Sequence, residues 1–165
     1  LVLLADQVTK YLVETRIPLY GVWVPFPALE GVFRVVHTAN TGAVFGLFQG
    51  TGMFFAGLAV VVAAAIIYFN LTLPGHQWLL RIALGLQLGG ALGNFIDRLR
   101  QGHVTDFVDT GPWFIWNLAD LAITSGVILF GFAYWREIRR EEAAKRLAEQ
   151  ATAPYADVTD SSPQP

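Results

Sequence analysis

One stretch of this chain limits its possible folds more than any other. Residues 53–73 include Ala56-Gly57-Leu58-Ala59-Val60-Val61-Val62-Ala63-Ala64-Ala65-Ile66-Ile67 and contain no charged side chain. About 20 apolar residues, rising 1.5 Å each, cross the ~30 Å hydrocarbon core of a bilayer as a helix. A helix on a soluble core needs only one apolar stripe, so a segment apolar on every side predicts a membrane span. Two further runs, 78–96 and 117–135, are long enough to do the same. Composition agrees, with 54% hydrophobic and 15% charged residues, where a soluble domain carries about 25% charged.

A first helix ends near Arg16, ahead of Pro18. Its apolar part, Leu1 to Ala5 with Val8, Tyr11, Leu12 and Val13, falls short of a full crossing, so the natural chain is expected to begin earlier. Arg136, Arg139, Arg140, Lys145 and Arg146 follow the last apolar run, and such a cluster marks the cytoplasmic side. Four crossings then put both termini in the cytoplasm and the 17–52 and 97–116 connections outside. The expected fold is mainly α and integral to the membrane. It has four transmembrane helices and a small extracytoplasmic β-sheet in the first outer loop, built from Val22-Trp23-Val24 and Val32-Phe33-Arg34-Val35-Val36. Residues 1–150 form the membrane domain, its first helix truncated at the start. Residues 151–165, rich in Pro, Ser, Thr and Asp, are expected to be a disordered cytoplasmic tail.

Several chemistries drop out. The sequence has no cysteine, which removes disulfides, thiolate nucleophiles and cysteine metal sites. His37, His76 and His103 lie far apart without metal-ligand spacing, so neither metal nor cofactor is expected. The net charge is −2 and the basic residues form no stripe, so nucleic acid is not an expected partner.

Against this background the carboxylates stand out, because an acid near lipid is costly and is by default a functional candidate. Asp106 lies in Gly102-His103-Val104-Thr105-Asp106-Phe107, just past the third apolar run. Asp120 lies in Trp116-Asn117-Leu118-Ala119-Asp120, at the start of the fourth. Taken alone, Asp120 also reads as the N3 partner of an Asn117 N-cap. The third and fourth helices are antiparallel neighbours, however, so the loop between them returns Asp106 toward Asp120. Two close carboxylates share a proton and can divide base and acid roles between them. Asn94 and Asn117 could orient a water or a peptide there without adding charge.

Other polar residues gather nearby. Asp6 and Lys10 are four apart on the first helix and can pair on one face. Asn94, Asp97 and Arg98 meet at the end of the third helix, where a snorkelling ion pair is the plainer reading. Gly85, Gly89 and Gly93, at steps of four, read as a packing stripe. Asn40 opens the small-residue stretch Asn40-Thr41-Gly42-Ala43-Val44-Phe45-Gly46, which alone would be a turn.

Five segments taken in order closely resemble the lipoprotein signal peptidase (signal peptidase II) family: Asp6-Gln7-Val8-Thr9-Lys10, Asn40 through Gly46, Gly93-Asn94-Phe95-Ile96-Asp97-Arg98, Gly102 through Phe107, and Asn117-Leu118-Ala119-Asp120. The resemblance reaches from Asp6 to about Thr124. It implies a four-helix aspartic peptidase of the bacterial inner membrane with its active site near the outer face. Such an enzyme cleaves diacylglyceryl prolipoproteins just before the lipidated cysteine and is inhibited by globomycin. On that resemblance Asp106 and Asp120 are the catalytic pair. Asn40, Gly42, Asn94, Arg98 and Asn117 line the substrate site, and Asp6, Lys10 and Asp97 support it. Val44, Trp116 and Leu121 differ in volume from the residues common at those places. A monomer would suffice, since the site lies within one bundle.

Two other classes remain open on the residues. A proton relay or small transporter would place ionisable groups at several depths, yet the second helix has none. A non-enzymatic scaffold would use the glycine stripe and leave the two aspartates without a task.

Overall fold

The long apolar runs are helical. The computed structural model describes residues 1–42, 52–111 and 114–156, with side chains to residue 150. Its α-helices are α1 (Val2–Arg16), α2 (Gly52–Thr72), α3 (Trp78–Gln101) and α4 (Leu118–Ala156). Among the described residues, three helices are long and apolar enough to cross a membrane: α2, α3, and α4 over Leu118–Gln150. At 15 residues α1 is shorter than these.

The helix ends follow local chemistry. α1 stops where Ile17 turns extended (φ −119°, ψ 121°) ahead of Pro18, as a residue before proline prefers. α3 runs past residue 96, its expected end, so that Asp97 and Arg98 are helical. It closes at Gly102, whose φ of 79° suits a residue without Cβ and whose N–H bonds the Arg98 carbonyl at 3.0 Å. α4 continues well beyond residue 135, through a Glu/Ala/Arg/Lys-rich stretch of strong helix formers, and takes in residues to Ala156. Residues 157–165, the remainder of the expected tail, lie outside the described residues, as do Ala43 through Gly46 of the small-residue stretch.

The sheet differs from expectation. It has four antiparallel strands in the order β1 (Val22–Trp23), β2 (Arg34–Asn40), β3 (Val104–Asp109) and β4 (Ile115–Trp116). Only half of it comes from the first long connection. β3 and β4 come from the second, so Asp106 sits on a strand and not in a loop. The β-branched residues Val104, Thr105 and Val108 explain why this segment is extended. Asn40 pairs with Val104 and Thr38 with Asp106, after an irregularity between Val35 and Thr38. Asn40 and Asp106 are therefore diagonal neighbours on one face.

α3 is the central helix and packs against α1, α2 and α4. A Cβ at Gly89 would run into Val2 of α1, one at Gly93 into the Asp6 carboxylate, and one at Gly90 into the Ala119 carbonyl of α4. The glycines thus serve two helix seams, while Gly85 has nothing close by. Large apolar side chains such as Met53, Val61, Leu71, Ile128 and Phe132 point outward. The largest fully buried side chains are Lys10, Asn117, Thr105, Asp6 and Asp97. Apolar outside and polar inside is the reverse of a soluble domain.

Candidate active site

The end of α1, the last turns of α3, the start of α4 and strands β2 and β3 converge at the sheet end of the bundle. Lys10 lies at the centre of the buried part. Its Nζ is 2.9 Å from Asp6 Oδ2, 2.8 Å from Asp97 Oδ2 and 2.8 Å from Asn94 Oδ1. All three donors of the ammonium are used, and the charge is shared between two carboxylates that are themselves fully buried. Asp6 Oδ1 accepts the Ala119 N–H of α4 at 2.9 Å. Asp97 accepts Gln7 Nε2 at 3.0 Å and the Thr105 N–H of β3 at 3.4 Å. One ion cluster therefore clamps α1, α3, α4 and β3 together.

Asn94 leads from this cluster to the cavity. Its Oδ1 faces Lys10, and its Nδ2 donates to Asp120 Oδ1 at 2.9 Å. Asn117 caps α4 reciprocally. Its Oδ1 accepts the Asp120 N–H at 3.0 Å, and its own N–H donates to Asp120 Oδ2 at 3.3 Å. The capping role expected of Asp120 is thus real. The same Asn117 also donates through Nδ2 to Asp106 Oδ1 at 2.6 Å. The second Asp106 oxygen accepts Asn40 Nδ2 at 2.9 Å, and Asn40 Oδ1 accepts the Gly42 N–H at 3.0 Å. Arg98 closes the rim, donating to the Gly42 carbonyl at 3.0 Å and the Asn94 carbonyl at 3.2 Å. Its Nε is the one buried side-chain polar atom without a partner among the described residues.

Asp106 and Asp120 open into one cavity of about 530 Å³, shared with Asn40, Asn94 and Arg98. The rest of its wall is largely apolar, including Phe55, Leu58 and Val62 of α2 and Ile123 of α4. Burial, and after it the Asp120 charge, push the Asp106 carboxyl up to about 6, against the pull of the Asn40 and Asn117 hydrogen bonds. A carboxyl near 6 can hold or release a proton close to neutral pH. Among the described residues, no three His, Cys, Asp or Glu side chains converge as metal ligands.

Asp6, Lys10, Asn40, Gly42, Asn94, Asp97, Arg98, Asp106, Asn117 and Asp120 come together here, and further contributors join them. Glu14 accepts Thr105 Oγ1 at 2.7 Å and Arg100 at 2.7 Å, tying α1 to β3 and α3. Gln7 bridges Asp97 and the Gly93 carbonyl. The i, i+4 step from Lys10 to Glu14 was the available signal for the first; Gln7 offered none beyond its neighbours.

Fold and site together define a helical membrane protein with two carboxylates, Asp106 buried and Asp120 half-buried, opening into one largely apolar cavity. Comparison with known proteins narrows the class. The signal peptidase (SPase) II family matches residues 1–136. The lipoprotein signal peptidase of Moorella thermoacetica is 43% identical over 129 residues, covering 78% of this chain and 84% of that protein. That of Shouchella clausii is 42% identical over 147 residues, covering 88% and 95%. Two solved structures, each described as a bacterial membrane enzyme structure obtained by the in meso method, are both 34% identical. They superpose with TM-scores of 0.76 and 0.72, covering 83% and 81% of this chain and 84% and 86% of theirs. The chain belongs to the signal peptidase II family and is a membrane protease that removes signal peptides.

Proposed function

We propose that this protease is an aspartic endopeptidase in which Asp106 and Asp120 activate water to cleave diacylglyceryl-modified prolipoproteins just before the lipidated cysteine. The observation that carries this reading is the shared cavity: both carboxylates open into it, and both are hydrogen-bonded to Asn117. Curated relatives named lipoprotein signal peptidase supply the substrate class.

The chemistry needs one proton on the pair. The ionised carboxylate takes a proton from water as the water oxygen attacks the peptide carbonyl carbon. The protonated carboxyl gives its proton to the carbonyl oxygen. In collapse of the tetrahedral intermediate the carboxyl that took the water proton gives it to the leaving amine, the C–N bond breaks, and a hydroxyl of the intermediate loses its proton to the other carboxylate as the carbonyl re-forms, so the pair again holds one proton. The apolar wall limits water and strengthens these transfers. Asn40 and Asn117 hold Asp106, and Asn94 holds Asp120. Gly42 and Arg98 form the rim against which the substrate backbone lies, and Asp6, Lys10 and Asp97 fix the scaffold behind it. Neither metal nor cofactor takes part, and one chain is sufficient.

In this reading α1 is the fourth membrane helix and both termini are cytoplasmic in a bacterial inner membrane. The sheet lies at the outer face, where a substrate can leave its lipid in the bilayer. A globomycin-type inhibitor would occupy the same cavity. The test is a gel-shift assay on a diacylglyceryl prolipoprotein, with wild type, Asp106→Asn and Asp120→Asn, with and without globomycin. Cleavage is expected from wild type alone, blocked by globomycin and unaffected by a chelator. Full cleavage by either variant would remove the dyad.

A further inference from the structure

A second cavity of about 520 Å³ lies between the end of α1 and the β1/β2 edge of the sheet, and shares no residue with the first. Its walls are apolar, from Leu12, Val13 and Ile17 of the α1 end and Trp23 and Val35 of the strands, with one cation, Arg16. Arg16 is exposed. No carboxylate among the described residues pairs with it; the nearest in sequence, Glu14, is taken by Arg100.

The residues leading to this cavity form a track. Leu4, Val8, Leu12 and Arg16 follow at steps of four on α1, and the three apolar ones are exposed. The buried face, with Asp6, Lys10 and Val13, lies on the other side of the helix. From residue 4 to residue 16 the helix rises about 18 Å, a little over half the ~30 Å hydrocarbon thickness, which is the run of one leaflet's chain. The track therefore begins within the bilayer and ends at an unpaired guanidinium beside an exposed Trp23, at the depth where Trp and Arg meet headgroups.

We propose that this groove is a binding site for an anionic glycerophospholipid of the outer leaflet, its phosphate held by Arg16 and one acyl chain lying along Leu12, Val8 and Leu4. A single cation with no internal counter-charge favours a lipid of net charge −1 over a zwitterionic one, whose own cation would sit beside the guanidinium. The site borders β2, which carries Asn40, so a bound headgroup braces the strand that holds Asp106. The inference rests on α1 lying in the bilayer, as in the proposed topology. It does not depend on the dyad.

Native mass spectrometry of the full chain, released from detergent micelles containing equal dioleoyl phosphatidylglycerol and dioleoyl phosphatidylcholine, tests it. Wild type should retain one phosphatidylglycerol in preference to phosphatidylcholine. Arg16→Gln should lower that retention about tenfold, the effect of losing one charge-assisted contact, and Arg16→Lys should restore part of it. Arg139→Gln/Arg140→Gln, in the basic stretch of α4, should leave it unchanged. Brominated phosphatidylglycerol should quench wild-type fluorescence more than that of Trp23→Phe. Equal retention of the two lipids by wild type, or wild-type retention by Arg16→Gln, overturns the site. Asp106→Asn should bind lipid normally, so failure of the lipid site and failure of the dyad are read on different variants.

Discussion

Asp6 and Asp97 share one buried ammonium, at 2.9 and 2.8 Å from Lys10. Among the described residues, the Asp106 and Asp120 carboxylates receive hydrogen bonds from the amide groups of Asn40, Asn94 and Asn117. The two pairs occupy one end of one bundle, linked through Asn94, yet their environments differ. A cation held between two carboxylates ties the elements that carry them together as a strut. Neutral amide donors position a carboxylate while leaving its proton exchangeable. In the proposed function the first pair serves architecture and the second chemistry, a distinction that follows from the hydrogen-bond partners and not from the residue type.

The largest expected effect falls on the second pair. Asp106→Asn or Asp120→Asn should lower cleavage by about 10³-fold or more, with inserted protein levels close to wild type. Normal levels with normal cleavage would erase the distinction. Next comes the strut. Lys10→Met leaves two buried carboxylates without their cation and should cost about 3–5 kcal/mol of stability, read as a large fall in Tm in detergent; activity should fall with the folded fraction and not ahead of it. A stable but inactive Lys10→Met would move Lys10 into the chemistry.

A smaller effect tests the sign of the Asp106 environment. Its folded value of about 6 lies above the ordinary 3.8, so the folded state binds the proton more tightly than the unfolded chain does. Its carboxyl therefore lowers stability as pH rises from about 4 through about 6. The stability of Asp106→Asn relative to wild type should rise by about 1–3 kcal/mol over that window and level off above it. A flat difference in thermal unfolding between pH 4 and 7 would show that burial does not penalise this charge. The smallest effect belongs to Asn40→Ala. Removing a donor from the Asp106 anion should move the alkaline limb of the pH–rate profile upward by about half a unit to one unit, with modest loss of rate.

Much of this was legible in sequence because it is local. The i, i+4 step pairs Asp6 with Lys10, and Asn117-Leu118-Ala119-Asp120 spells a helix start that the reciprocal hydrogen bonds bear out. Apolar length located α2, α3 and α4. Non-local relations were not legible. Nothing near Asp97 announces Lys10, eighty-seven positions away, and nothing in Gly102 through Phe107 requires pairing with β2, although the β-branched residues permitted it. The sheet was therefore assigned to one connection when two build it. The glycine stripe was legible as packing, but that Gly89 and Gly93 face α1, while Gly90 beside them faces α4, depends on which neighbours arrive.

Asn117 sets the first turn of α4 and also holds both acids. In the proposed mechanism, alignment of the two acids is consequently phased to the position at which a helix begins. One residue inserted between 117 and 120 would swing the second acid about 100° around the axis, out of the cavity, while every side chain remained present. An insertion in the connection between β3 and β4 would leave that interval intact. The spacing between cap and acid is thus a reading frame for the chemistry, and the three-residue interval, more than either residue alone, is what a working descendant of this chain has to keep.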